Sequence, residues 1–427
     1  MKLKNLNINS HLHLKDLEFD FTYPQGHEKA GQPLEKICFI GQSATGKTNL
    51  LKLISETILY LLRIEVLDGE TIISRNNNYK KNLEKGSLAL EYEDKELLLT
   101  DDIISYDGKK ISNKYSNGGV ISKLLNNPNH LNKILYFDSN YVSNENIKYF
   151  DTNPLEIVFE KRNIDYKDFD EFIFNENISE VYIIKLLESF LDFRQKYDAK
   201  VRELLLGGKI FDVDKFNKIF QLWQKDNPNP LEGFSEKFDS LLNKFDLEID
   251  KLSVEYPIPF KSRSTDKVIP IEGLSTGTKA LLLYLLPLYM IDTSKSIVLI
   301  DEPERSLYPN VQMELLDFYR NVSPDAQFII ATHSPFIAAS FEPEERFILY
   351  FNDKGKVDVM RGSAPIGDDP NDILKSDFQL EYLMNENGRN AFEKYIKLRK
   401  ELAKEKNIIK KDKILDELLK IGTAYKF

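Results

Sequence analysis

Two short stretches hold most of the residues that could do chemistry on a phosphate. Gly41-Gln42-Ser43-Ala44-Thr45-Gly46-Lys47-Thr48 matches the pattern GxxxxGK[ST] in full. Its glycines let backbone N–H groups turn inward on an anion, and a helix N-terminus behind them adds a positive end. In that frame Lys47 reaches the β- and γ-phosphates of a nucleotide, the Thr48 hydroxyl ligates Mg²⁺, and Asn49 continues the loop into the helix. The second stretch is SIVLIDEPERSLYP, in which Ile297 to Ile300 form an apolar run ending in Asp301-Glu302. A carboxylate at that strand end can hold the Mg²⁺ shell, the role expected of Asp301. The next carboxylate, Glu302, is expected on the other side of the pleat, facing the γ-phosphate and polarising a water.

Two weaker signals complete the set. Leu274-Ser275-Thr276-Gly277-Thr278-Lys279 opens a helix 24 residues before Asp301, counted from Gly277. Ala331-Thr332-His333-Ser334-Pro335 follows the strand QFII, and places His333 where it can sense or polarise the γ-phosphate region.

These residues need a scaffold, and the hydrophobic pattern supplies one. KICFIG is a short buried strand ending at Gly41, and TNLLKLISETILYLLRI has the three-and-four spacing of a helix. LKNLNI and LKDLEFDF alternate like half-buried strands, and SLALEY and ELLLT flank EDK as a hairpin. ILYFDS is another strand. Residues 142–262 change texture to amphipathic helices, with NPNP at 227–230 as a breaker. The α/β pattern returns over 263–360, where FILYFN and KVDVM suggest a terminal hairpin, and residues 361–427 read as helical and Lys-rich. Alternating strands and helices imply an α/β fold with a mostly parallel sheet, assembled from 1–141 and 263–360 around a helical insertion.

Composition narrows the class. The 427 residues carry a formal charge of −10, which argues against a surface that is basic everywhere but leaves room for a local basic groove. A single cysteine, Cys38, excludes an intrachain disulfide and a Cys-rich zinc site. The longest apolar run, 280–291, is 12 residues broken by Pro287, too short to span a bilayer. With no secretory signal at the start, the expectation is a cytoplasmic protein without membrane contact.

In order, the phosphate loop, LSxG-like helix, IDEP and ATHSP resemble the heads of ABC-type P-loop ATPases, nearest to the SMC-like and OLD-like stand-alone branch. DEPERSLYP resembles the DEPExxLHP run of that branch, with Tyr308 where His is usual, and LSTGTK keeps Leu274, Ser275 and Gly277 of LSGGQ. The resemblance covers about 1–55 and 270–350. It implies two heads pairing head to tail around two ATP molecules, with room for a higher oligomer of such pairs, Ser275, Thr276 and Gly277 meeting the γ-phosphate in trans and hydrolysis opening the pair. It places Glu304, Arg305 and Ser306 in the D-loop at the dimer seam. It also calls for a Q-loop glutamine near ILYFDSN, where none exists; Asn140 and Asp138 are the candidates to replace it.

The run GDDPNDILKSDFQLEYL and the Lys/Glu-rich end resemble stand-alone ATPases of anti-phage systems, the Septu type and its retron-linked forms. That likeness implies control of a separate effector, commonly a nuclease, with DNA or a phage product as a trigger. The alternative is an ATP-driven DNA-repair clamp of the RecF or SMC kind. A transporter subunit is disfavoured, because 228 residues separate Lys47 from Ser275. No nuclease of its own is expected: the 92 residues after Pro335 lack DxD, and His11, His13, His27 and His130 are scattered. The lysines and arginines between Lys394 and Lys413 are a candidate phosphate surface or a solvated or partner-binding helix, and Trp223 is expected to pack.

Overall fold

A computed structural model describes residues 1–62, 64–67, 70–73, 83, 85–101, 103–111, 133–142, 150, 171–176, 180–207, 213–251, 253 and 256–427. The chain opens with β1 (Lys2–His11) and β2 (Leu14–Asp20), an antiparallel hairpin turning at Leu12, followed by β3 (Lys36–Gly41), all six of whose residues are buried. Helix α1 (Lys47–Leu62) follows the phosphate loop. A small pair, β4 (Ile64–Leu67) and β5 (Glu70–Ile73), precedes β6 (Lys85–Tyr92) and β7 (Lys95–Thr100). The expected β6–β7 hairpin turns through Glu93 and Asp94, both left-handed at φ 49° and 60°, the conformation a two-residue primed turn requires. β8 (Ile103–Tyr106) and β9 (Lys109–Ile111) complete a six-stranded antiparallel sheet of order β2-β1-β6-β7-β8-β9.

The central sheet draws its strands from distant parts of the chain. After β10 (Ile134–Phe137) and β11 (Glu171–Phe174) come helices α2 (Glu180–Leu206), α3 (Val213–Asp226) and α4 (Pro230–Leu242). A three-stranded sheet follows, of β12 (Leu247–Ile249), β13 (Phe260–Ser262) and β14 (Val268–Ile269). Next are α5 (Thr276–Met290), β15 (Ile297–Asp301), α6 (Pro309–Val322), β16 (Gln327–Ala331), the short α7 (Pro335–Ala338), β17 (Arg346–Phe351) and β18 (Val357–Arg361). The central order is β11-β10-β15-β16-β3-β17-β18, parallel throughout except for β18, which forms the expected terminal hairpin with β17. β11 pairs with β10 residue for residue, so the sheet takes an edge strand from inside the stretch expected to be helical.

Alternation along these strands divides two cores. Cys38, Ile40, Phe137, Val298, Ile300, Phe328 and Ile330 face the side packed by α5, α6 and the insertion helices. Ile37, Phe39, Ile134, Tyr136, Ile297, Leu299 and Ile329 face α1 and the antiparallel sheet. Asp301 continues the second set, which aims its carboxylate at the α1 side. The chain ends in α8 (Pro370–Ser376), α9 (Glu386–Lys404) and α10 (Ile408–Tyr425). Among the described residues, no helix is long and apolar enough to cross a membrane.

Candidate nucleotide-binding site

The three chemistry-bearing turns lie at the C-terminal ends of neighbouring strands β3, β16 and β15, the edge where parallel α/β sheets bind ligands. The phosphate loop leaves β3 at Gly41 with φ 147°, where a Cβ would come within 2.1 Å of the Leu349 carbonyl oxygen. Ala44 is left-handed at φ 66° and Gly46 at φ 94°, and Gln42, Ser43 and Ala44 are exposed. Thr45 is buried, its hydroxyl donating to the Gln42 carbonyl at 2.8 Å. Lys47, 6% exposed, folds its ammonium back onto the carbonyls of Gly41 and Gln42 at 2.9 and 3.1 Å. Burial holds its pKa below the ordinary lysine value against the pull of Asp301, Glu302 and Glu304. Asn49 lies in the first turn of α1, half-buried.

Thr48 and Asp301 meet directly, the hydroxyl donating to the carboxylate at 2.9 Å. Burial raises the Asp301 pKa to about 6; the Thr48 bond and Lys52 oppose the rise, while Glu302 and Asp138 add to it. Asp138 stands one residue beyond the Phe137–Ile300 pair, beside Asp301 and on the same face. It is tied to Lys52 at 3.2 Å and to the Tyr136 hydroxyl at 3.5 Å. Lys52 is one helical turn after Thr48, so one face of α1 covers both carboxylates. This donor set, two adjacent carboxylates and a hydroxyl, fits a hard divalent cation, whose charge would favour the ionised form of Asp301. Asn140 is differently engaged: its side-chain oxygen accepts from Arg305 at 3.3 Å.

Glu302 departs from the pleat on which its placement was expected to rest. β15 ends at Asp301, and Glu302 is left-handed at φ 49°, its N–H donating to the Ala331 carbonyl at 2.8 Å. Its carboxylate lies 3.9 Å from His333 Nε2 and 3.6 Å from Arg305 Nε. The His333 pKa is lowered by burial and by the Lys47 cation, with Glu302 pulling the other way, which favours a neutral imidazole at pH 7. Glu304 fixes this turn: half-buried, it accepts the His333 N–H at 2.7 Å. Arg305 bridges to the end of β10, donating to the Ser139 carbonyl at 2.6 Å.

The remaining site candidates form a second centre. Ser275 caps α5, accepting the Thr278 N–H at 3.2 Å, and both Ser275 and Thr276 are exposed. Gly277 is buried against the Ser306 backbone, where a Cβ would sit 2.3 Å from the carbonyl oxygen. The α5 N-terminus and the turn after β15 are thus in contact within one chain. Lys52 and His13 were not read from the sequence as site residues, and Glu304 was expected only as part of the D-loop at the dimer seam. His13, on the β1–β2 turn, packs over Gly46, where a Cβ would meet its Nε2 at 2.5 Å. Of the two unread residues, Lys52 had a readable signal, its four-residue spacing from Thr48 on a helix.

The fold and this cluster define a P-loop nucleotide-binding α/β domain. The chain belongs to the family described as "AAA domain, putative AbiEii toxin, Type IV TA system", which matches residues 36–339. Similar solved structures include the SMC head domain from Thermotoga maritima, at 11% identity and TM-score 0.41, covering 85% of this chain and 100% of that chain. Another is the Smc head domain with an extended coiled coil bound to the C-terminal domain of ScpA, derived from Pyrococcus furiosus. It aligns at 14% identity and TM-score 0.40, covering 85% of this chain and 96% of that one.

Proposed function

We propose that the chain is a Mg²⁺-dependent ATPase switch that pairs with a second copy around ATP and controls a separate effector, a nuclease, in defence against phage. The observation that carries the ATPase reading is the Thr48–Asp301 contact at 2.9 Å beneath the phosphate loop, with Glu302 and His333 on the adjoining strand ends. Gly41 to Asn49 would hold the triphosphate through backbone N–H groups and Lys47. Mg²⁺, held by Thr48 and Asp301, would neutralise charge on the β- and γ-phosphates. Asp138 takes the position of the missing glutamine, beside Asp301, in preference to Asn140. Glu302 orients the attacking water and accepts its proton, and the neutral His333 donates toward the γ-phosphate. Glu304 holds the His333 backbone in place.

The exposed N-terminus of α5 supports engagement of ATP on a second copy by Ser275, Thr276 and Gly277. Because Gly277 packs on Ser306, a γ-phosphate bound there would also be felt by the D-loop and Glu302. The insertion at 142–262 would dock the effector, and DNA or a phage product would act as trigger. The defence setting is supported by the toxin–antitoxin description of the family and by the likeness of the C-terminal run to defence ATPases. The chain would hydrolyse ATP in the cytoplasm and carry no nuclease of its own.

Steady-state ATP turnover tests the catalytic core. Lys47→Ala should lose ATP binding, and unchanged ATP affinity would contradict the phosphate-loop assignment. DNA cleavage by the chain alone with Mg²⁺ would contradict the separate effector.

A further inference from the structure

Among the described residues, twenty large hydrophobic side chains are exposed, and ten of them fall between Leu380 and Tyr425. That is half of the set in about an eighth of the described residues. Exposed single Leu or Ile residues need no explanation, but such concentration marks an interaction surface. Four lie in the irregular segment 380–384, each 42–45% exposed.

The segment leads into the α9–α10 hairpin, whose helices pack principally on each other. Phe392 and Tyr395 of α9 meet Phe427 beyond α10 at 5.2 and 5.7 Å, and Lys394 pairs with Glu417 at 2.5 Å. Only Leu398 and Leu418 are buried within it. On α10, Ile408, Leu415 and Leu419 are 74%, 45% and 59% exposed and share one stripe about 40° wide at 3.6 residues per turn. The buried Leu418 lies on a different side of the helix, so the stripe is not the face that closes the hairpin.

The hairpin is also electrically distinct. Residues 386–427 hold 12 basic and 7 acidic side chains, a charge of +5, on a chain of −10, which leaves −15 on the remainder. Its root is firm: Arg346 and Asp377, both fully buried, pair at 2.8 Å just before the exposed segment, and Asp377 accepts the Ser363 N–H at 2.9 Å. A cationic hairpin with an apolar stripe thus follows a firmly rooted segment of an otherwise anionic chain.

We propose that segment 380–384 and the α9–α10 hairpin form a docking arm for a second copy of this chain. The apolar stripe would supply the contact, and the +5 arm would be drawn to the −15 body of the other copy. The charge complement exists within this chain, which is why the occupant is a copy of it. A nucleic acid is the poorer fit, because Asp412 and Asp416 flank the stripe and aliphatic side chains dominate it. This association is separate from pairing around ATP and needs no nucleotide.

The test is sedimentation of the full-length, nucleotide-free chain at micromolar concentration. The wild type should sediment as two or more chains and dissociate as salt rises. The triple variant Ile408→Asp, Leu415→Asp, Leu419→Asp should be monomeric, with unchanged helical circular dichroism and unchanged ATP affinity. Lys397→Glu with Lys400→Glu should weaken association at low salt. A monomeric wild type, or a triple variant of unchanged mass, would overturn the proposal. Unchanged mass in the lysine variant together with lost DNA binding would overturn it in favour of a nucleic-acid surface.

Discussion

The proposed chemistry concentrates at Glu302, and its backbone is unusual. A left-handed φ of 49° on a residue with a Cβ is sparsely populated, and such strain gathers at functional turns. Here it sets the carboxylate between His333 and Arg305. Glu302→Gln keeps the shape and removes the proposed base, so ATP turnover should fall about 10²- to 10⁴-fold with ATP affinity preserved. Turnover at the wild-type rate would contradict the assignment. Asp138→Asn tests the second carboxylate at the metal position. The Mg²⁺ concentration for half-maximal nucleotide binding should rise about tenfold or more, read by titrating a fluorescent nucleotide. The phosphate loop and Asp301-Glu302 were legible because each is contiguous in sequence. Asp138, Lys52 and Glu304 were not, or only weakly, because their places depend on strand register and on which face of α1 covers the sheet. The lone His13 gave no hint that a turn brings it onto Gly46.

At the scale of elements, the α5 N-terminus and the turn after β15 share one joint. Gly277 allows α5 to reach the Ser306 backbone, and Gly277→Ala would place a methyl 2.3 Å from that carbonyl oxygen. The variant should bind ATP normally in one chain yet lose ATP-dependent pairing, measured by light scattering. Retained pairing would separate the two elements. The C-terminal region has its own keystone in the buried Arg346–Asp377 pair. Asp377→Ala leaves a guanidinium without its carboxylate and should cost about 3–5 kcal/mol in urea unfolding. The parallel strands and the β6–β7 and β17–β18 hairpins were readable because each is a short apolar or alternating run with a clear turn. β11 was not: four residues inside a helical stretch carry too little periodicity, and its membership of the sheet comes from pairing with β10. Trp223 was expected to pack, and it lies 5.7 Å from Phe220 and 6.1 Å from Phe193, joining α2 to α3.

At the scale of the whole molecule, strands from 36–41, 134–137, 171–174, 297–301, 327–331, 346–351 and 357–361 share a single sheet, so the nucleotide-binding fold is assembled from distant parts of the chain. Its net negative charge is compatible with binding of a polyanion, since the proposed donors are local to Gly41–Asn49. In the proposed function, ATP is hydrolysed at a site shared between two copies. In that case Lys47→Ala, lacking the phosphate loop function, and Ser275→Arg, lacking the trans contact, are each inactive alone. Mixed dimers hold one site built from an intact loop and an intact α5 N-terminus. ATP turnover of a one-to-one mixture should therefore recover to about a quarter of the wild-type rate. A Ser275→Arg chain that hydrolyses ATP at the wild-type rate on its own, or a mixture as inactive as its parts, would contradict the shared site.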